Sequence, residues 1–199
     1  MTDFANKWLV AIIRVLLIFQ TGIVLTGGIV RLTGSGLGCP TWPECTEGSY
    51  TPIEGQIEGF KSWIEFGNRL LTFVLLLNAL ALMFVILKQG QRHLRKMGAF
   101  QIIGILAQGL LGGITVLTGL NPATVAAHFL LSIVLIAGAL SLRQRAHGKT
   151  PTEITPIPLV KKLMGAHLLL TVAVLVMGTI VTGSGPHAGD STAERFNLD

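Results

Sequence analysis

Charge is scarce in this chain. Of its 199 residues only 13% are Asp, Glu, Lys or Arg, about half the ~25% of a typical soluble domain. Too few solvating groups remain for an ordinary soluble fold. Disorder, which requires high charge and few apolar residues, is excluded more strongly. Cysteine is scarcer still: Cys39 and Cys45 are the only two, too few for a disulfide-built scaffold. No long apolar segment carries a 3.6-residue stripe opposite a charged face, which excludes helices lying flat on a bilayer. The chain is filled instead by 50% hydrophobic residues and 24 glycines, with a mean hydropathy of +0.65.

Five apolar segments stand out, at 8–32, 63–87, 98–117, 123–142 and 163–182. Each approaches or exceeds the ~20 residues that cross a hydrocarbon core. The first is no signal peptide, because it is too long and Arg31-Leu32-Thr33 offers no small-residue cleavage site. The expected fold class is therefore an all-α integral membrane protein.

Charge placement orients the spans. Lys88, Arg92, Arg95 and Lys96 follow the second span; Arg143, Arg145, Lys149, Lys161 and Lys162 follow the fourth. The positive-inside rule puts both segments in the cytoplasm, together with Lys7 and the N-terminus. The 33–62 loop holds Glu44, Glu47, Glu54 and Glu58 against Lys61 and is expected outside, as is the tail with Asp190, Glu194 and Asp199. The net charge of +5 is thus a topology signal, with no clustered groove-reading or aromatic elements to suggest nucleic acid.

The ends of the first and fifth spans repeat. Segment 28–36 reads Gly-Ile-Val-Arg-Leu-Thr-Gly-Ser-Gly, and segment 178–185 reads Gly-Thr-Ile-Val-Thr-Gly-Ser-Gly. Small polar residues are common where a helix leaves the bilayer. The repeat reading is that span five opens a second, parallel copy of a four-span unit. The expected organisation is a four-helix half at 1–147, a cytoplasmic linker at 148–162, and the first helix of a second, cut-short half with an outer tail at 163–199.

Ionisable groups at membrane depth are costly and so are functional candidates. Glu65, Asn68 and Arg69 lie in the first turns of span two, at spacings that suggest one helical face. His128 lies at a similar depth in span four. Glu65 and Arg69 form either an i,i+4 salt bridge at a helix end or a site whose buried carboxyl handles protons. His128 is either a bundle histidine bonded to a carbonyl or an iron ligand for haem. Arg31 and Arg69 either pair with acidic ligand groups such as propionates or snorkel to the headgroups. Gln108 faces the same interior or bonds across helices, while Gly109 and Gly113 give a G-x-x-x-G packing face. His93 and His147 lie in basic loops, His167 sits at the wrong depth to meet His128, and His187 reads as a loop histidine. Cys39 and Cys45 are expected to form a loop-stapling disulfide; free or metal-binding thiols and a redox-active bond are the alternatives.

Together, Thr-Gly-Ser-Gly-Leu-Gly-Cys-Pro-Thr-Trp-Pro-Glu-Cys at 33–45, Glu65 with Arg69-Leu70-Leu71, Gln108-Gly-Leu-Leu-Gly-Gly, and Ala127-His128-Phe129 resemble the heme A synthase family. The resemblance covers spans one to four and runs into span five. It implies eight transmembrane helices in two pseudo-symmetric halves, of which this chain would be the first half plus one helix, inactive alone. It also implies oxidation of the C8 methyl of heme O to a formyl group, through a geminal diol that loses water, to supply heme A to terminal oxidases in a bacterial plasma membrane. Glu65 would be catalytic and His128 would ligate haem iron. Arg31, Asn68, Arg69 and Gln108 would contact the cofactor or substrate, and Cys39 and Cys45 match the family's loop cysteines. A heme B cofactor is implied, mainly for the second half; heme O synthase and oxidase assembly proteins are implied partners, with homo-oligomerisation open. The rival is a non-catalytic haem carrier or oxidase assembly factor. Many members have a histidine three residues after the glutamate, where this chain has Asn68. An amide is a poor iron ligand, which leaves His128 as sole axial ligand or Asn68 bonding a bound water.

Overall fold

The computed structural model describes residues 3–147, 157–185 and 189–196. They form five long helices: α1 (Asp3–Leu32), α2 (Phe60–Lys88), α3 (Arg95–Leu117), α4 (Pro122–Ala146) and α5 (Pro158–Ser184), with a 3-10 turn at Arg92–Leu94 before α3. All five are long and apolar enough to cross a membrane. The fold is an all-helical membrane bundle, as composition required.

The helix limits follow local chemistry. The Asn121 side chain caps α4 by accepting from Ala123 N at 3.0 Å, with Pro122 beside it in the first turn. Pro158 opens α5 five residues before the apolar run at 163. At the other ends, α1, α2 and α3 each close in a Schellman motif with Gly34, Gly90 or Gly119 at positive φ. In α1, Ser35 N reaches Val30 O at 2.9 Å and Gly34 N reaches Arg31 O at 3.2 Å. The related segment of α5 behaves differently, because Thr182 to Ser184 stay helical and Gly185 is extended. The shared Thr-Gly-Ser-Gly therefore folds in two ways.

α1 to α4 pack in a closed ring, each against its two neighbours, and α5 packs on α4. The core seam is spaced 4-3-4: Leu9, Ile13, Leu16 and Gln20 in α1; Leu75, Ala79, Leu82 and Ile86 in α2; Leu135, Ala139, Leu142 and Ala146 in α4. That 3.5-residue repeat is the knobs-into-holes spacing of left-handed bundles. The outer faces are as apolar as the core: Ile18, Phe73, Leu77, Phe84 and Ile103 are all more than 60% exposed. Across the bundle axis, Gln20 Nε2 donates to Gln101 Oε1 at 2.6 Å, and Gln101 Nε2 donates to Leu135 O at 3.2 Å.

The 33–59 loop covers one end of the bundle. Segment 189–196 folds back over the same end: Gly36 N donates to Gly189 O at 2.9 Å, Phe196 N donates to Gly183 O at 3.1 Å, and Ala193 packs on Leu120. His187 and Lys149 lie outside the described residues.

Candidate functional site

Glu65 sits in the second turn of α2 and is buried, 6% exposed. One oxygen, Oε1, accepts from Arg69 Nε at 2.9 Å and Nη2 at 2.6 Å; the other, Oε2, accepts from Cys39 N at 2.7 Å. The same guanidinium donates to three loop carbonyls: Cys39 O at 2.6 Å, Thr41 O at 3.0 Å and Glu44 O at 3.1 Å. All three lie in the segment closed by the Cys39–Cys45 disulfide. Arg69 is suited to this because its planar fork serves several acceptors at fixed angles. Glu65 and Arg69 thus form the expected i,i+4 ion pair and also clamp the loop to the helix.

Close approach of the loop depends on Gly38. A Cβ there would stand 2.5 Å from Lys61 O and 2.9 Å from Ser62 N, so no other residue fits without moving the backbone. From this clamped loop Trp42 reaches α3, where a Cβ at Gly113 would meet its ring at 2.5 Å. One residue away, a Cβ at Gly112 would lie 3.3 Å from His128 Cε1. The loop, through Trp42, and the histidine therefore meet adjacent residues of α3, while the ion pair reaches this stretch only through the loop it holds.

Depth along the bundle supports this. With the Gln20–Gln101 bond as reference and 1.5 Å per residue, Thr26 and Asn68 lie about 9 Å nearer the loop end. His128 lies about 10 Å and Glu65 about 13 Å nearer.

Asn68 does not join Glu65 and Arg69. Its Oδ1 accepts from Thr26 Oγ1 of α1 at 2.6 Å. The reason is angular: i+3 and i+4 lie about 100° apart around a helix, so Arg69 takes the loop side and Asn68 the α1 side. Arg31 Nη2 donates to Thr182 O, tying α1 to α5. Gln108 Nε2 donates to His128 O at 3.0 Å and also to Ser132 Oγ, while Ser132 Oγ donates to His128 O at 3.0 Å. Of the expected site residues, Glu65, Arg69, Cys39 and Cys45 form one contact group and Gln108 and His128 another; Asn68 and Arg31 each bond a neighbouring helix.

The glycines of α3 also separate. A Cβ at Gly109 would meet nothing within 4 Å, whereas one at Gly104 would stand 2.2 Å from Leu135 Cδ2. Close α3–α4 packing therefore rests on Gly104, and the Gly109/Gly113 spacing splits between open space and Trp42. Trp42, Thr26 and Ser132 join the site without carrying the charge or imidazole that marks its other members. For Trp42 the signal was present, a tryptophan between Pro40 and Pro43 inside the cysteine pair.

Outside the spans, Asp190 titrates below its ordinary range. Burial alone would raise it, but hydrogen bonds from Thr192 N and Oγ1 and the charge of Lys61 outweigh that.

His128 Nδ1 is buried without a hydrogen-bond partner, and the ring faces Gly112, which has no side chain. An unpartnered imidazole against a glycine wall fits an axial ligand to haem iron. A bare metal ion fits poorly, since among the described residues no three His, Cys, Asp or Glu cluster to hold one.

Fold and site together define a multi-pass membrane protein whose polar chemistry is gathered at one end of a four-helix bundle. Residues 7–190 match the COX15-CtaA family, described as "Cytochrome oxidase assembly protein", and the chain belongs to that family. Similar proteins include "Heme A synthase" of Shewanella oneidensis, 33% identical over 67% of this chain and 44% of that protein. "Heme A synthase" of Bacillus pumilus is 33% identical over 79% of this chain and 52% of its own length. That of Lysinibacillus sphaericus is 37% identical over 60% and 39% respectively. The chain spans about half the length of these relatives, or less. No solved structure matches it.

Proposed function

We propose that the protein is a membrane oxidoreductase that converts heme O to heme A for terminal oxidase assembly, oxidising the C8 methyl to a formyl group. The observation that carries this reading is the Glu65 carboxylate, buried and held on both oxygens by Arg69 and Cys39 N. It sits within about 4 Å in depth of an unpartnered imidazole. The family and the names of the similar proteins support the same activity.

In this reading heme O would enter the bundle at the loop end, and His128 would hold its iron. Glu65 would accept protons released as the methyl is oxidised, the electrons going to an external oxidant that this chain does not supply. Arg69 pairs with Glu65 and holds the disulfide loop over it, excluding water. Arg31 meets a propionate at the bundle mouth. Asn68 and Thr26, bonded to each other, stand on the α1–α2 side of the site. Heme B, the resident cofactor that the family resemblance implies, supplies one-electron chemistry when bound. The loop end faces outward from a bacterial plasma membrane.

Glu65→Ala, expressed alongside a heme O synthase, should abolish heme A in pigment extracts resolved by HPLC while bound haem persists. Unchanged heme A would remove Glu65 from the chemistry. The family description, which names oxidase assembly, supports a second reading as a haem-binding assembly factor. In that case the wild-type protein would bind haem and yield no heme A.

A further inference from the structure

Two buried polar atoms near His128 stand without partners: its own Nδ1 and Oε1 of Gln108. Gln108 and Gly112 are one turn apart on the same face of α3. The histidine ring lies against that face, with Nδ1 3.8 Å from the Cβ position of Gly112. The other end of the same amide is committed, since Nε2 donates both to the His128 carbonyl and to Ser132 Oγ. Gln108 is therefore fixed by its nitrogen and presents its oxygen as an acceptor, within a turn of a ring nitrogen that has none.

We propose that Gln108 is the positioning residue of His128. Nδ1 carries the ring proton and donates it, through one enclosed water, to Gln108 Oε1; the lone pair is thereby placed on Nε2. A histidine ligand needs its second nitrogen held in this way, because that bond decides which nitrogen is free to ligate and how the ring is turned. A buried water needs polar partners on both sides, and these two atoms provide a donor and an acceptor. Ser132 holds the amide nitrogen, so the oxygen is the end turned to the ring. The purpose of this arrangement rests on His128 as an iron ligand; the tautomer itself does not.

The test is solid-state 15N NMR of the haem-free protein in lipid, with labelled histidine and His128→Ala to assign the signals. Wild type should show the His128 ring in one tautomer, protonated at Nδ1. Gln108→Leu, which removes the acceptor oxygen, should give a mixture of tautomers. Far-UV circular dichroism and melting check the fold, and Gln108→Met is the second variant should the leucine protein misfold. A tautomer mixture in wild type, or an unchanged spectrum in the leucine and methionine variants, would each overturn the proposal. Hemin titration separates this from the ligand reading: loss of the acceptor should weaken binding by roughly 10-fold or more. If His128→Ala leaves hemin binding unaltered, the ligand role fails while the tautomer result stands.

Discussion

At the residue scale, Arg69 is the busiest side chain of the site, with donors to one carboxylate and three carbonyls. A lysine would keep the charge but, with its three donors on a single nitrogen, could not span the carboxylate and three separate carbonyls at once. Arg69→Lys should therefore release the loop while leaving the helices intact. Hydrogen exchange at the Cys39 amide, which donates to Glu65, reports this directly. Loss of charge-assisted bonds worth about 2 kcal/mol should speed that exchange roughly 30-fold; an unaltered rate would show that the loop does not depend on the fork. Two glycines four residues apart make a second residue-scale contrast. Gly113→Ala must displace the Trp42 ring and should shift its fluorescence to the red, measured against Trp42→Phe as the blank. Gly109→Ala meets nothing and should raise helix stability by up to about 1 kcal/mol. Equal behaviour of the two variants would contradict the packing described.

Among elements, the sequence showed the number and order of helices but concealed which face of each points inward. In a soluble helix the polar face identifies the apolar one. Here Leu9, Ile13 and Leu16 are buried and Ile18 and Leu25 are exposed, yet all are equally apolar, because lipid and core accept the same side chains. Interior polar residues mark the inward face instead, and Gln20 and Gln101 do so unambiguously. Their hydrogen bond joins α1 to α3 across the bundle axis. Gln101→Leu alone should cost about 1–2 kcal/mol, since it strands the Gln20 amide away from water. Adding Gln20→Leu should recover most of that loss, because an apolar pair leaves nothing unsatisfied. Unfolding of both single variants and the double variant in mixed micelles measures the coupling; additive losses would mean the two amides act independently. The candidate site was legible to a similar degree. Glu65, Arg69 and His128 announce themselves as charge or imidazole within apolar runs, and the cysteine pair by its prolines. The split of Asn68 from Arg69, and the reach of Trp42 to Gly113, depend on loop geometry that no spacing encodes.

For the whole molecule, the cations define where the membrane lies. Arg14 and Arg31 are separated by 17 residues of one helix, about 25 Å, close to the ~30 Å hydrocarbon core. Arg14 is exposed on the outer face of α1, which places it at headgroup level rather than within the lipid. At that same end stand Lys7, Lys88, Arg92, Arg95, Lys96, Arg143, Arg145, Lys161 and Lys162; the loop end holds Arg31, Lys61, Arg69 and Arg195. Arg69 is consumed by its ion pair and loop carbonyls, so the real asymmetry is larger than the count. Two unrelated arguments then support the same proposed orientation. Lysine and arginine favour the cytoplasmic side, and the Cys39–Cys45 disulfide at the opposite end belongs to an oxidising compartment. A membrane-impermeant maleimide should therefore label Glu54→Cys in intact cells, and Arg92→Cys only after the membrane is opened. The reverse pattern would place the disulfide loop in the reducing cytoplasm, where the bond closing the Arg69 clamp would not persist. Labelling thus tests the redox setting of the site as well as the direction of the helices.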